Sequence, residues 1–106
     1  MIKAMHIVLA ATLLLPGLAA AEPSVGETLA KKNGCFACHS VARKVIGPAY
    51  KDVADRYDGD KGAMDKLVHK VKDGGSGVWG PAGMPPHPQL KDDDIRTIVS
   101  WILAQK

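Results

Sequence analysis

Cys35-Phe36-Ala37-Cys38-His39 decides how this chain is read. On a helical turn, residues three and four apart share a face. Cys35, Cys38 and His39 can therefore address one flat ligand together. Cys-x-x-Cys-His is the attachment sequence for c-type haem. The two thiols can add across the two vinyl groups of the porphyrin, and the imidazole then offers a nitrogen to the iron. Two other readings of the spacing fare worse. A thioredoxin-like disulfide needs a βαβ pattern around it, and none is visible. A zinc site needs four ligands, but the chain holds only two cysteines and no His-x-x-His follows.

Upstream of the motif, Lys3 precedes an apolar run from Ile7 to Leu15, Pro16-Gly17 breaks it, and Ala19-Ala20-Ala21 offers small residues for cleavage. That is the order of a secretory signal peptide. An uncleaved anchor is the alternative, but the run falls short of the about 20 residues a membrane helix needs. The expectation is a signal peptide over 1–21, cleavage after Ala21, one domain over 22–106, and no stable membrane insertion. Export permits disulfides, but both cysteines are committed to haem, so none is expected. The formal net charge of +3 includes no basic run and no aromatic–basic interleaving, which argues against a nucleic-acid partner. A domain this small has a thin core and often needs a covalent staple. Haem would be one, supplying apolar surface to a chain with 5% aromatic residues. The candidates for a second iron ligand are Met64, Met84, His69 and His87.

Periodicity then places the elements. Ser24 with Glu27 fits a capping box. Val25 and Leu29 share a face of the helix it opens, and Asn33-Gly34 ends that helix. A second helix over about Ala49–Tyr57 aligns Tyr50, Val53, Ala54 and Tyr57. A third over about Gly62–Lys72 aligns Met64, Leu67, Val68 and Val71. This stripe makes Met64 a core residue, and His69 lies on the polar side. Gly74 to Pro88 is a Gly/Pro-rich loop carrying Trp79 and Met84. Asp92-Asp93-Asp94 begins the last helix, where negative charge suits the helix dipole. Ile95, Ile98, Val99, Ile102 and Leu103 form its buried stripe, with Trp101 beside it. No segment alternates with period two, so the fold is expected to be all-α.

Four segments taken together resemble the small bacterial class I cytochromes c of the c-551/c-552 type. They are the Cys35–His39 motif, Gly47-Pro48-Ala49-Tyr50-Lys51-Asp52-Val53-Ala54, Gly77-Val78-Trp79-Gly80-Pro81, and Met84-Pro85-Pro86. The resemblance covers residues 22–106. It implies short helices wrapped around one covalent haem c, with Cys35 and Cys38 as thioether sites, His39 as proximal and Met84 as distal iron ligand. It also implies that the Pro48 carbonyl accepts the other N–H of His39 and that the Trp79 indole donates to a haem propionate. The arginine that commonly backs this propionate is here Lys70, which lacks the bidentate fork. The asparagine often found three residues after the methionine is here His87.

The function implied is a monomeric periplasmic carrier of single electrons, not an enzyme, working between donor and acceptor redox proteins. Phe36, Ala37, Val45, Pro81 and Ala82 are candidates for an apolar docking patch, with Lys31, Lys32 and Lys51 at its rim. Two competing classes are a haem enzyme or gas sensor with an open iron position, and a Cys-x-x-Cys module without haem.

Overall fold

The computed structural model describes residues 2–12 and 22–106. Residues 2–12 carry no regular secondary structure and are exposed. The Pro16-Gly17 break and the expected cleavage site at Ala19-Ala20-Ala21 lie outside the described residues. No helix among the described residues is long and apolar enough to cross a membrane.

Four α-helices and one short 3-10 turn make up the regular structure of these residues, and no strand occurs among them. Helix α1 spans Val25–Lys32. The Ser24 hydroxyl accepts from the Glu27 backbone N–H at 3.2 Å. The reciprocal half of the expected box is not formed: the Glu27 carboxylate pairs with Lys31 at 3.2 Å instead. Val25 is 70% exposed, whereas Gly26 and Ala30 are buried. The α1–α4 contact requires a small residue at Gly26.

The 3-10 turn Cys35–Ala37 follows Gly34 directly. Helix α2 spans Tyr50–Arg56 and buries Tyr50, Val53 and Ala54. Helix α3 spans Ala63–Asp73 and ends at Gly74, whose φ of 70° suits a residue without a side chain. Helix α4 spans Asp92–Leu103 and buries Ile95, Ile98, Val99 and Ile102. It has no side-chain cap. Buried Leu90 and Ile95 flank its start, in the positions of a hydrophobic staple. Lys72 also ties α3 to this end, donating to the Leu90 carbonyl at 3.0 Å and to Asp92 at 2.7 Å.

Helix α4 is the centre of the domain, since α1, α2 and α3 all pack on it. Gly26 sets the closest approach. A Cβ there would lie 2.7 Å from the Thr97 carbonyl oxygen and also strike the Trp101 side chain. Gly26→Ala should therefore destabilise the fold by about 1–3 kcal/mol through overpacking. Guanidinium unfolding read by far-UV circular dichroism checks this, and an unchanged midpoint would refute the tight contact.

Candidate cofactor site

The motif forms a tight turn that begins at Gly34, with φ 77°. The backbone N–H groups of Cys38 and His39 both donate to the Cys35 carbonyl, at 3.3 and 3.0 Å. Cys35 is buried, Cys38 is half-buried, and both are free thiols. Burial pushes the Cys35 thiol above its ordinary pKa, and the Tyr50 hydroxyl beside it partly opposes this. Burial likewise pushes the Tyr50 phenol upward, with Cys35 adding to the shift.

His39 is held on three sides. Its Nδ1 donates to the Pro48 carbonyl at 2.8 Å, which leaves Nε2 as the nitrogen with a free lone pair. Tyr50 stacks on the imidazole, with ring centroids 5.0 Å apart and planes 18° from parallel. Gly47 presses against the ring from the chain itself. A Cβ at Gly47 would lie 2.5 Å from Cε1 and 2.9 Å from Nδ1. The loop is fastened by Gly47 and Ile46, which donate to the Cys38 carbonyl at 2.7 and 3.2 Å. Neither the Gly47 contact nor the Tyr50 stack was read from the sequence. The Gly-Pro pair after the motif was the available signal for the first.

Above this turn lies a cavity that opens partly to solvent. One part of its wall is Cys35, Cys38, His39 and Pro48. Helices α3 and α4 add Leu67, Lys70, Val71, Ile98, Val99 and Ile102. The Gly/Pro-rich loop adds Val78, Trp79 and Met84. The lining is dominated by apolar side chains, with both thiols, a tautomerically fixed imidazole and a thioether among them. That donor set and that apolar space fit a covalently held haem.

Met84 is placed by backbone. Its N–H donates to the Gly75 carbonyl at 2.8 Å, and the Gly75 N–H donates back at 3.0 Å. Further on, the His87 N–H is shared between the Val71 and Lys72 carbonyls at the end of α3, both at 3.1 Å. Gly74 lies under this loop, where a Cβ would sit 2.8 Å from Pro86 N. Met64 packs against the core cluster, and His69 is an exposed partner of Asp73 at 2.9 Å. Neither lines the cavity. The Nδ1 of His87 is buried without a hydrogen-bond partner. His87 is therefore not simply a solvated side chain, and it too is absent from the cavity wall.

Trp79 and Lys70 both line the cavity, one from the loop and the other from α3. Lys70 takes part in no ion pair among the described residues. Arg56, which carried no sequence signal, covers the Trp79 ring with its guanidinium 4.6 Å from the centroid. Of the expected surface patch, Ala37, Val45, Pro81 and Ala82 are exposed, but Phe36 is not a free surface residue. Its ring packs edge-on against Tyr50 at 5.8 Å and tilted against Trp101 at 5.9 Å. Ile46, 55% exposed and part of the cavity wall, is the apolar residue the sequence reading omitted.

Residues 24–106 match the cytochrome c family. The chain is 46% identical over 95 residues to cytochrome c-551 of Pseudomonas aeruginosa, covering 90% of this chain and 88% of that one. It is 53% identical over 76 residues to cytochrome c-551 of Allochromatium vinosum, covering 72% and 81%. The crystal structure of Nitrosomonas europaea cytochrome c552 superposes with a TM-score of 0.71 at 48% identity, covering 74% of this chain and 98% of that one.

The Gly47 contact makes a local prediction. Gly47→Ala should push the His39 ring off the Pro48 carbonyl, abolish the Nδ1 proton signal in NMR spectra and lower stability by about 1–3 kcal/mol. A retained Nδ1 signal at wild-type shift would show that the loop yields instead.

Proposed function

The chain belongs to the cytochrome c family, and on that premise we propose a periplasmic carrier with His39 and Met84 as the two axial ligands of its haem. As a member of this family the protein is a haem c electron carrier rather than an enzyme. The bound group supplies the one-electron chemistry, cycling between ferrous and ferric iron. One observation carries the ligand assignment. A single apolar cavity presents both thiols, an imidazole with only Nε2 available, and the Met84 thioether.

The residues divide the work. Cys35 and Cys38 anchor the ring as thioethers. Pro48, by accepting a hydrogen bond from Nδ1–H, fixes the tautomer of His39 and raises its basicity. That favours the ferric state. The Met84 thioether favours the ferrous state and raises the potential. The balance between them sets the working range. Trp79 and Lys70 donate to a propionate, and the apolar walls exclude water. With His39 and Met84 both holding the iron, small molecules would find no open site there, which separates this reading from a gas sensor.

Residues 1–21 act as the cleaved signal, leaving a monomer that begins at Glu22. Donor and acceptor redox proteins dock in turn on Ala37, Val45, Ile46, Pro81 and Ala82, with Lys31, Lys32 and Lys51 around them. Such a patch suits brief contacts burying under about 1,200 Å².

Two measurements test this. Intact mass of the exported protein should equal the chain from Glu22 plus one haem, and an unmodified mass would sink the assignment. In the oxidised wild type a weak red sulfur-to-iron charge-transfer band should be present. Met84→Ala should lose that band, lower the reduction potential and let the reduced protein bind CO, which the wild type resists. Persistence of the band in Met84→Ala would move the ligand elsewhere.

A further inference from the structure

Trp79 reaches the cavity from irregular chain, not from a helix. The turn that carries it closes on itself by one backbone bond, Gly77 N–H to the Gly80 carbonyl at 2.8 Å. Both glycines have positive φ, 100° and 114°. A turn built this way has little intrinsic stiffness. It needs an outside brace if its indole is to hold one orientation.

Arg56 supplies the contact. Its Nη1 donates to the Val78 carbonyl at 2.9 Å, and the Cζ of the same guanidinium lies over the Trp79 ring, 4.6 Å from its centroid. The guanidinium is planar, so its N–H groups can donate in the plane while its face stacks. One side chain thereby grips the backbone and the ring of successive residues. Arg56 takes part in no ion pair among the described residues, so no carboxylate competes for it. It sits in the last turn of α2, where a cation suits the helix dipole. That helix is itself locked into the core by Tyr50, Val53 and Ala54. Arg56 is not part of the cavity wall, although Val78 and Trp79 are. Any influence it has on the cofactor must pass through them.

Resting on the reading that Trp79 donates to a haem propionate, we propose that Arg56 is the positioning residue for that contact. It transmits the rigidity of α2 to the Gly77–Gly80 turn and holds the indole at the cavity wall.

The test is hydrogen exchange of the two tryptophan indole N–H groups in the ferrous holoprotein, followed by NMR. In the wild type the Trp79 N–H should be protected. Arg56→Met keeps an unbranched apolar stem but removes the fork, and should speed Trp79 exchange about tenfold or more. Arg56→Lys can reach the carbonyl or the ring but not both, and should fall between the two. Trp101, packed against Gly26 of α1 and the rings of Phe36 and Tyr50, is the internal control and should not change. Unaltered Trp79 exchange in Arg56→Met would overturn the positioning role alone and leave the propionate contact standing. Equal acceleration of Trp79 and Trp101 would overturn it too, by showing only a loss of global stability. An unprotected Trp79 N–H in the wild type would overturn the propionate contact, and with it the proposal.

Discussion

A hydrogen bond from the His39 imidazole to the Pro48 carbonyl governs the geometry of this protein. Its net worth is modest, about 0.5–1.5 kcal/mol for a neutral pair. Its consequence is larger than its energy. With Nδ1 committed at 2.8 Å, the ring has one free nitrogen and one orientation. The neighbours then lose their freedom as well. Gly47 must be glycine, because the ring occupies the space of its Cβ. Tyr50 must enter α2 at an angle that lays its ring on the imidazole. The tail of the motif is sewn to the same place, as Tyr50 and Lys51 donate to the Ser40 and Val41 carbonyls at 2.9 and 3.0 Å. The start of α2 is thus set by the site, and α2 in turn packs on α4.

Behind that site the chain concentrates its few aromatic residues. Phe36, Tyr50 and Trp101 touch one another in edge-on or tilted pairs with centroids 5.3–5.9 Å apart. This geometry suits the ring quadrupoles, and it gives the motif turn a stiff backing. The remaining core is aliphatic, and its largest fully buried side chains, Ile95, Ile98 and Val99, lie on α4. Small residues let α1 approach it closely. A core built this way is complete on its α1 side and hollow on its α2–α3 side, where the cavity opens. Covalent haem is the piece that completes it, which accords with a single small domain needing a staple.

The regular helices were largely legible in the sequence. Third-helix boundaries expected at 62–72 are observed at Ala63–Asp73, and the second helix is shorter than expected by one residue at each end. Strong period-3.6 stripes explain that accuracy. The α4 stripe is buried at Ile95, Ile98, Val99 and Ile102. What failed was whatever depended on a neighbour distant in sequence. Phe36 looked like a surface residue beside the motif but closes an aromatic cluster with residues 14 and 65 positions away. Arg56 gave no signal, since its partners lie 22 and 23 positions on. Periodicity describes a helix against a generic core and does not say which element will supply it.

The two proposed axial residues are held by different means, and the contrast explains why the glycines matter. His39 is fixed by side-chain contacts around its ring. Met84 is fixed by its backbone, through the reciprocal pair with Gly75 and the fastening of His87 to the end of α3. Side chains at residues 74 and 75 would obstruct this arrangement. A Cβ at Gly74 would meet the loop backbone, and Gly75 has a φ of 139°, which residues with side chains rarely adopt. The loop therefore reads in the sequence as flexible, rich in Gly and Pro, yet its two ends are pinned to α3. Glycine here permits close approach rather than motion. Pro85 and Pro86 restrict the backbone between the two anchors further. A carrier gains from such restraint, since an electron can enter or leave with little atomic rearrangement when both axial residues keep their places in either oxidation state.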